Sequence, residues 1–218
     1  YEMFMNTKIE KIEKDASELY ASDFVNHSGG ALGADITFDE IGNEYGFKFH
    51  KHYYHGVRNE NNAPHGNQKI DGLSYGQGKV KAALAAKRNW GYQNSTVSDS
   101  RLIRNWSQVK NSTTVFAIST IVGKGQKIFP DQKSDTRIAI APSITGGTGY
   151  AVGMAINEDK KVYVFNQKSL DKDYPVGWYV YDKATDNFIP TEIPVLTENY
   201  AGIGSRNLAE CLLLQLES

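Results

Sequence analysis

Apolar residues recur along this chain in two patterns, one with helical spacing and one in short runs. Near the start, Met5, Ile9, Ile12, Ala16 and Leu19 repeat every three or four positions, which predicts an amphipathic helix. The same pattern predicts further helices at 34–45, 79–90, 98–110, 150–156 and 207–216. Short apolar or alternating runs predict strands at 24–27, 48–54, 115–118, 161–165 and 200–204.

The alternation of strands and helices predicts the fold class. We predict an α/β fold, a Rossmann-like three-layer sandwich with a mainly parallel sheet, because such an order of elements covers a sheet with helices on both sides. The chain is interpreted as a single domain spanning residues 1–218. Three stretches are predicted to be insertions: a polar loop at 56–78, a segment with hairpin pattern at 120–142, and a β-hairpin elaboration at 170–190.

Composition narrows the classes of partner. The chain has 218 residues, of which 40% are apolar and 22% charged, and these are ordinary values for a globular protein. The net charge of −1 argues against a nucleic-acid partner, because binding a phosphate backbone needs clustered positive charge. The single Cys211 fits a reducing compartment. Since no apolar run reaches membrane-spanning length, we expect a soluble cytoplasmic protein without a membrane partner.

Three segments share one design, in which a short strand runs into a glycine-rich turn and then a helix. They lie at 28–35 (SGGALGAD), 145–150 (TGGTGY) and 201–206 (AGIGSR). Glycine allows close backbone approach to a ligand, and the start of the next helix offers unpaired N–H groups to an anion. One such turn is equally well explained by tight packing. Three of them favour a shared pocket, because the carboxyl ends of parallel strands meet at one edge.

These motifs resemble those of a known superfamily. SGGALGAD, YAGIGSR and GGTGYA are similar to the signature turns of the SLOG proteins, which include the Lonely guy cytokinin-activating enzymes, the DNA-processing protein A family and nucleotide-sensing domains of bacterial immunity. In the usual SLOG order the AGIGSR strand comes first, whereas here it lies at 201–206. The chain therefore resembles a circularly permuted SLOG protein, and the resemblance implies a nucleotide-derived ligand.

The resemblance also bears on catalysis. In the phosphoribohydrolase branch the second turn reads GGxGTxxE, and its glutamate serves cleavage of an N-glycosidic bond. Here Tyr150 replaces the second threonine and Gly153 occupies the glutamate position, so no carboxylate is available there. We therefore predict non-catalytic binding, by sensing or sequestration, of an ADP-ribose or cyclic-nucleotide derivative. A phage-encoded sponge that counters nucleotide-based immune signalling is one form of this hypothesis.

Two alternatives stay open. The first is a nucleotide or nucleoside N-glycosidic hydrolase of the phosphoribohydrolase type, which would use Asp35 or a residue of the 56–78 loop. The second is an interaction protein without a small ligand, in which all three glycine turns only serve packing.

The predicted ligand-binding residues are the turn glycines and hydroxyls, together with a few polar or aromatic residues at strand ends. They are Ser28, Gly29, Gly30, Asp35, Tyr54, His55, Gly146, Gly147, Thr148, Gly149, Gln167, Gly202, Gly204, Ser205 and Arg206. Asp35 either binds a ribose hydroxyl or caps its helix. Arg206 is expected to hold a phosphate, since it stands where anions bind.

No catalytic residue, metal or cofactor is assigned. His50, His52 and His55 cluster in the sequence, and His50 and His52 have the spacing of one strand face, which can bind zinc. No recognisable motif fixes a third ligand, so surface or ligand-contacting roles are favoured. The aromatic residues of the predicted hairpin at 178–189 are interpreted as a subunit contact, and a homo-oligomer is therefore expected.

Overall fold

The computed structural model describes residues 23–47, 49–54, 67–91 and 97–208. The strands in these ranges are β1 (Val25–Ser28), β2 (Phe49–Tyr54), β3 (Asn67–Lys69), β4 (Thr114–Ser119), β5 (Ile121–Val122), β6 (Ser143–Ile144), β7 (Lys161–Asn166), β8 (Gly177–Asp182), β9 (Asn187–Pro190) and β10 (Asn199–Gly204). The helices are α1 (Ala34–Glu44), α2 (Gly72–Trp90), α3 (Ser100–Asn111) and α4 (Thr148–Asn157). The helix predicted near residue 5, His55 and most of the helix predicted at 207–216 lie outside the described residues.

One large sheet organises the molecule. Its strand order is β3-β2-β1-β10-β4-β7-β8-β9, and β5 pairs separately with β6. The first six strands are parallel, while β8 and β9 are antiparallel additions at one side. This arrangement confirms the predicted α/β, Rossmann-like class with a mainly parallel sheet. The first and last described strands, β1 and β10, lie side by side near the middle of the sheet.

Apolar side chains cover both faces of the sheet, as the all-apolar centre of β4 requires. Val115 and Ala117 belong to the core formed with α2, α3 and α4. Phe116 and Ile118 alternate with them and pack on the other face, in the cluster that contains Phe38 of α1. A strand buried on both faces has no polar side, which explains why β4 reads as a continuous apolar run. No helix among the described residues has the length and apolarity needed to cross a bilayer.

The prediction of a loop at 56–78 is wrong for residues 67–78. β3 occupies 67–69 and α2 begins at Gly72, seven residues before the predicted helix start. Asp71 caps this helix by accepting a hydrogen bond from the Ser74 N–H at 2.7 Å. The glycines that suggested a loop have other uses, because Gly78 lets α2 approach Ile103 so closely that an added Cβ would lie 2.5 Å from its carbonyl oxygen.

The predicted hairpin forms, as β8 and β9, but its aromatic residues are not exposed. Trp178 and Tyr179 keep 5% and 3% of their surface exposed, and Tyr181 is half-buried against the same core as Tyr179. Trp178 packs against Phe165 with ring centroids 5.4 Å apart. The interpretation of these rings as a subunit contact is therefore wrong, because they extend the core of their own chain.

The segment at 120–142 is less regular than the predicted hairpin. One antiparallel bridge joins Lys127 to Ile138. Val122, Ile128 and Ala139 form a small apolar cluster of their own. This segment packs on the second glycine turn, since the Gly146 N–H donates to the Ile128 carbonyl at 3.0 Å.

Candidate functional site

The three glycine turns meet at the carboxyl edge of the parallel sheet. β1 ends at Ser28 and its neighbour β10 ends at Gly204, so the first and third turns start side by side. The Ala34 N–H donates to the Ser205 carbonyl at 3.1 Å and joins these two turns directly. The second turn is attached to the end of β4, because the Thr145 N–H donates to the Thr120 carbonyl at 2.9 Å. The chain thus brings together the three segments that the sequence predicted to converge.

A chain of hydroxyl groups connects the second and third turns. Ser119, the last residue of β4, shares a hydrogen bond of 3.0 Å with the Ser205 hydroxyl and one of 3.4 Å with the Thr145 hydroxyl. Ser119 is fully buried. Sequence analysis missed Ser119, although a polar residue that ends an apolar central strand is a usable signal for the ligand edge of such a sheet.

Asp35 holds the first and third turns together. One carboxylate oxygen accepts from the Gly29 N–H at 3.1 Å, and the other accepts from the Gly204 N–H at 3.3 Å. The side chain is buried among these groups. Burial raises the pKa of Asp35 to about 6, the Arg104 guanidinium opposes the rise, and Asp39 adds to it. Asp35 therefore braces the first and third turns, which is neither of its two predicted roles. The predicted helix cap is wrong, because α1 has no side-chain cap and both Asp35 oxygens accept from turn N–H groups instead.

The raised pKa of Asp35 predicts a pH-dependent stability. The folded-state pKa of about 6 exceeds the unfolded value, so folding takes up a proton and this contribution stabilises the protein as the pH falls. Relative to Asp35→Asn, the unchanged protein should gain about 3 kcal/mol of unfolding free energy between pH about 7 and about 4. Urea unfolding of both proteins across that interval measures the difference.

Asp99→Asn provides a control of opposite sign. Hydrogen bonds from Arg101 hold the pKa of Asp99 below its usual value, so the unchanged protein should lose stability relative to this variant on acidification. Parallel profiles for the Asp35→Asn variant and the unchanged protein would show that Asp35 does not titrate in this range.

Helix α3 crosses beneath the site and touches two of the turns with consecutive residues. An added Cβ on Gly29 would lie 2.5 Å from Nη2 of Arg104, so this guanidinium lies directly against the first turn. Asn105 donates from Nδ2 to the Gly147 carbonyl at 3.3 Å, and Leu102 also packs near Gly147. α3 therefore sets the spacing between the first and second turns.

Arg104 is the most informative residue that sequence analysis missed. Its Nε is buried and has no hydrogen-bond partner among the described residues. Burial lowers the pKa of Arg104, and the Asp35 carboxylate acts in the opposite direction. A cation that is partly desolvated and still has an unused donor favours an anionic partner at this position. The helical pattern gave no signal for it, because Arg104 stands between the inward-facing Ile103 and Trp106.

A second buried carboxylate lies below the first turn. Asp39 accepts from the Asn26 amide at 2.7 Å and pairs with Nε2 of His52 at 2.6 Å. Ser28 donates to Asp39 at 3.4 Å and accepts from the Gly30 N–H at 3.0 Å. Ser28 is therefore a buried support of the turn. Among the described residues, no three His, Cys, Asp or Glu side chains are grouped as a metal site requires.

The remaining predicted residues divide into two groups. Gly146 and Gly147 belong to the second turn, as predicted, whereas Thr148 and Gly149 already form the start of α4, two residues before the predicted helix start. Gly202 lies within β10, where an added Cβ would meet the ring of Phe38, so its position serves the packing of α1.

Three predicted residues stand at strand ends. Tyr54 ends β2, two strands from β10 in the sheet. Gln167 follows β7, and its N–H donates to the Ser119 carbonyl at 2.8 Å. Arg206 is exposed in the third turn, where its charge acts on Arg104. The site therefore has one partly buried and one exposed arginine beside its glycine turns.

The fold is that of a Rossmann-like α/β protein. The glycine turns at the carboxyl edge of its sheet allow a ligand to approach the backbone closely. Comparison with protein-family models, with curated proteins and with solved structures gives no match.

Proposed function

We propose that this protein binds a nucleotide-derived, phosphorylated ligand, such as an ADP-ribose or cyclic-nucleotide derivative, and does not cleave it. The observation that carries the proposal is the meeting of three glycine turns with Arg104, which lies against the first of them. Its buried Nε has no partner in the part of the chain that the structure describes. Sensing or sequestration of such a ligand, and membership of the SLOG superfamily in permuted form, belong to the same proposal.

Backbone donors support a phosphate at the second turn. The N–H groups of Gly147 and Thr148 form no hydrogen bond within the described part of the chain, and they stand at the N-terminus of the ten-residue helix α4. The positive end of the helix dipole and two unpaired N–H groups favour an anion there. Ser119, Ser205 and Thr145 offer hydroxyls next to this point.

The environment of Gly153 supports binding without cleavage. An added Cβ at this position would lie 3.0 Å from Cβ of Ala85 and 3.2 Å from the Asn89 amide nitrogen. Gly153 therefore faces α2, where a side chain would have little room. Asp35 is also poorly placed as a general base, because two backbone N–H groups occupy its oxygens.

The variant Gly153→Glu tests the conclusion that residue 153 of α4 faces α2. We expect no gain of hydrolysis, because the carboxylate would be forced between α4 and α2. The variant should lose about 3 kcal/mol or more of unfolding free energy from overpacking and from a buried charge. Asn157→Glu is the matched control, since residue 157 is exposed at the end of the same helix and should change stability by less than about 1 kcal/mol. Release of free base by Gly153→Glu would contradict the assignment.

Incubation of the purified protein with ADP-ribose, AMP and a cyclic dinucleotide tests the proposed function. Thermal unfolding identifies a ligand, which at a hundred times its Kd should add about 2.7 kcal/mol of stability. Mass spectrometry of the molecules released on denaturation then shows whether the ligand is intact. Intact ligand supports the proposal. Catalytic release of free base supports the hydrolase alternative, and the absence of any stabilisation supports the interaction protein.

A further inference from the structure

His52 of β2 carries a second buried polar atom that lies against the first glycine turn. Only 3% of the surface of this residue is exposed, and its Nδ1 has no hydrogen-bond partner among the described residues. An added Cβ on Gly30 would lie 2.6 Å from this nitrogen, so Nδ1 lies directly beside the backbone of the turn. A buried polar atom without a partner is costly, which favours a ligand group that pairs with it.

The partner of the other ring nitrogen fixes the chemistry of Nδ1. Nε2 of His52 lies 2.6 Å from the Asp39 carboxylate, which also accepts from the Asn26 amide. Because an ionised carboxylate can only accept, Nε2 must carry the hydrogen of this bond. In a neutral imidazole the remaining nitrogen is then an acceptor. Nδ1 therefore suits a ligand donor such as a hydroxyl and does not suit a phosphate oxygen.

The first turn stands between this acceptor and the buried arginine. Gly29 lies against the Arg104 guanidinium, and the next residue, Gly30, lies against His52. The two contacts come from opposite sides of the sheet, since His52 pairs with Asp39 of α1 whereas Arg104 belongs to α3. A ligand seated on this turn thus meets a positively charged donor and, one residue away, an acceptor.

We propose that Nδ1 of His52 accepts a hydrogen bond from a ribose hydroxyl of the ligand, which makes His52 a specificity-determining residue. The inference rests on the proposed function, because it requires a phosphorylated ligand at Arg104. A ribose hydroxyl is only a few bonds from the 5′-phosphate, as the adjacency of the two contacts requires, whereas the amine of adenine lies beyond the whole base. Since Nδ1 is buried, the turn must shift to admit the hydroxyl, and Gly30, with φ of 61° and no Cβ, permits this at low cost.

The dependence of binding on single hydroxyls tests the proposal. Isothermal titration calorimetry compares ADP-ribose with forms that each lack one ribose hydroxyl, on the unchanged protein and on His52→Phe. One of these forms should bind the unchanged protein about tenfold more weakly than ADP-ribose, which is the effect of losing one hydrogen bond to a buried acceptor. The same form and ADP-ribose should bind His52→Phe with equal affinity. If His52 were merely structural, the tenfold ratio would persist in the variant.

Tyr53→Phe is the matched control. Tyr53 follows His52 in β2, and its hydroxyl contacts Nδ1 of His27 at 2.9 Å on the other face of the sheet. This variant loses a buried hydrogen bond without touching the turn, and it should keep the hydroxyl preference of the unchanged protein. Equal hydroxyl dependence in the unchanged protein and His52→Phe would overturn the proposal. So would a tenfold loss that follows replacement of adenine by hypoxanthine and disappears in His52→Phe, because the acceptor would then bind the base amine.

Nitrogen NMR of the His52 ring gives a test that needs no variant. Before ADP-ribose is added, Nδ1 should show the resonance of an unprotonated ring nitrogen and Nε2 that of a protonated one. ADP-ribose should shift the Nδ1 resonance, and the form that lacks the recognised hydroxyl should not. A protonated Nδ1 would contradict the assignment of an acceptor. Failure of ADP-ribose, AMP and a cyclic dinucleotide to bind would overturn the proposed function together with this inference, whereas binding without hydroxyl dependence would overturn this inference alone.

Discussion

Arg104→Gln is expected to weaken ADP-ribose binding about a hundredfold or more. The guanidinium lies against the first glycine turn, and its buried Nε, which has no partner in the described ranges, can donate to an anion. Removing one partner of a buried charge pair typically costs 2–5 kcal/mol, that is, about thirtyfold to several thousandfold in affinity. Isothermal titration calorimetry of the unchanged protein and the variant measures the loss directly.

Arg101→Gln is the matched control for this experiment. Arg101 lies three residues earlier on α3, but its guanidinium is 62% exposed and pairs with Asp99 at 2.7 Å. Its removal should change the affinity less than about threefold. Arg104→Lys keeps the charge and loses the planar donor pattern of the guanidinium. The affinity of this variant for ADP-ribose should therefore lie between those of the unchanged protein and Arg104→Gln. Equal affinities for the Arg104→Gln and Arg101→Gln variants would remove Arg104 from the binding site.

Gly33→Ala is expected to destabilise the fold by at least about 3 kcal/mol. Gly33 has φ of 97°, which is costly for any residue with a Cβ. An added Cβ would also meet the Ser205 carbonyl and lie 2.5 Å from the Arg206 carbonyl, both in the third turn. Backbone atoms cannot rotate away as side chains do, so the first and third turns must separate. Urea unfolding measures the cost.

Gly72→Ala serves as the comparison. Gly72 lies at the start of α2, and no atom of the described residues lies within 4 Å of the added Cβ. The stability of this variant should stay within about 0.5 kcal/mol of that of the unchanged protein. If Gly33→Ala were equally stable, the close approach of the two turns that defines the site would be wrong.

Sequence patterns predicted those parts of the fold in which burial follows from local periodicity. The continuous apolar runs that became β4 and β7 could be recognised because both faces of a central parallel strand are covered. The start of α2 was missed because Gly72, Gly76 and Gly78 have low helix propensity, and the packing of Gly78 on Ile103 is a tertiary contact. The burial of Trp178 likewise depends on Phe165, which lies in another strand.

The candidate site was predicted in outline but not in its electrostatics. Glycine turns that follow strands can be found in a sequence, and the topology then places them at one edge. Arg104 could not be found in this way, because its importance arises from burial and from its approach to Gly29, seventy-five positions earlier in the chain. For the same reason, the paired N–H contacts of Asp35 appear only when the first and third turns are adjacent.

The place of β10 in the sheet has a consequence for biosynthesis. β10 lies between β1 and β4, yet it is the last described strand to leave the ribosome. Until β10 emerges, a nascent chain has two half-sheets with unpaired edges. It also lacks the third glycine turn of the site. Pairing β1 with β10 closes a loop of more than 170 residues, and such high contact order slows folding. The protein should therefore complete its fold only after synthesis has passed residue 204, and its exposed strand edges until then are natural binding sites for chaperones.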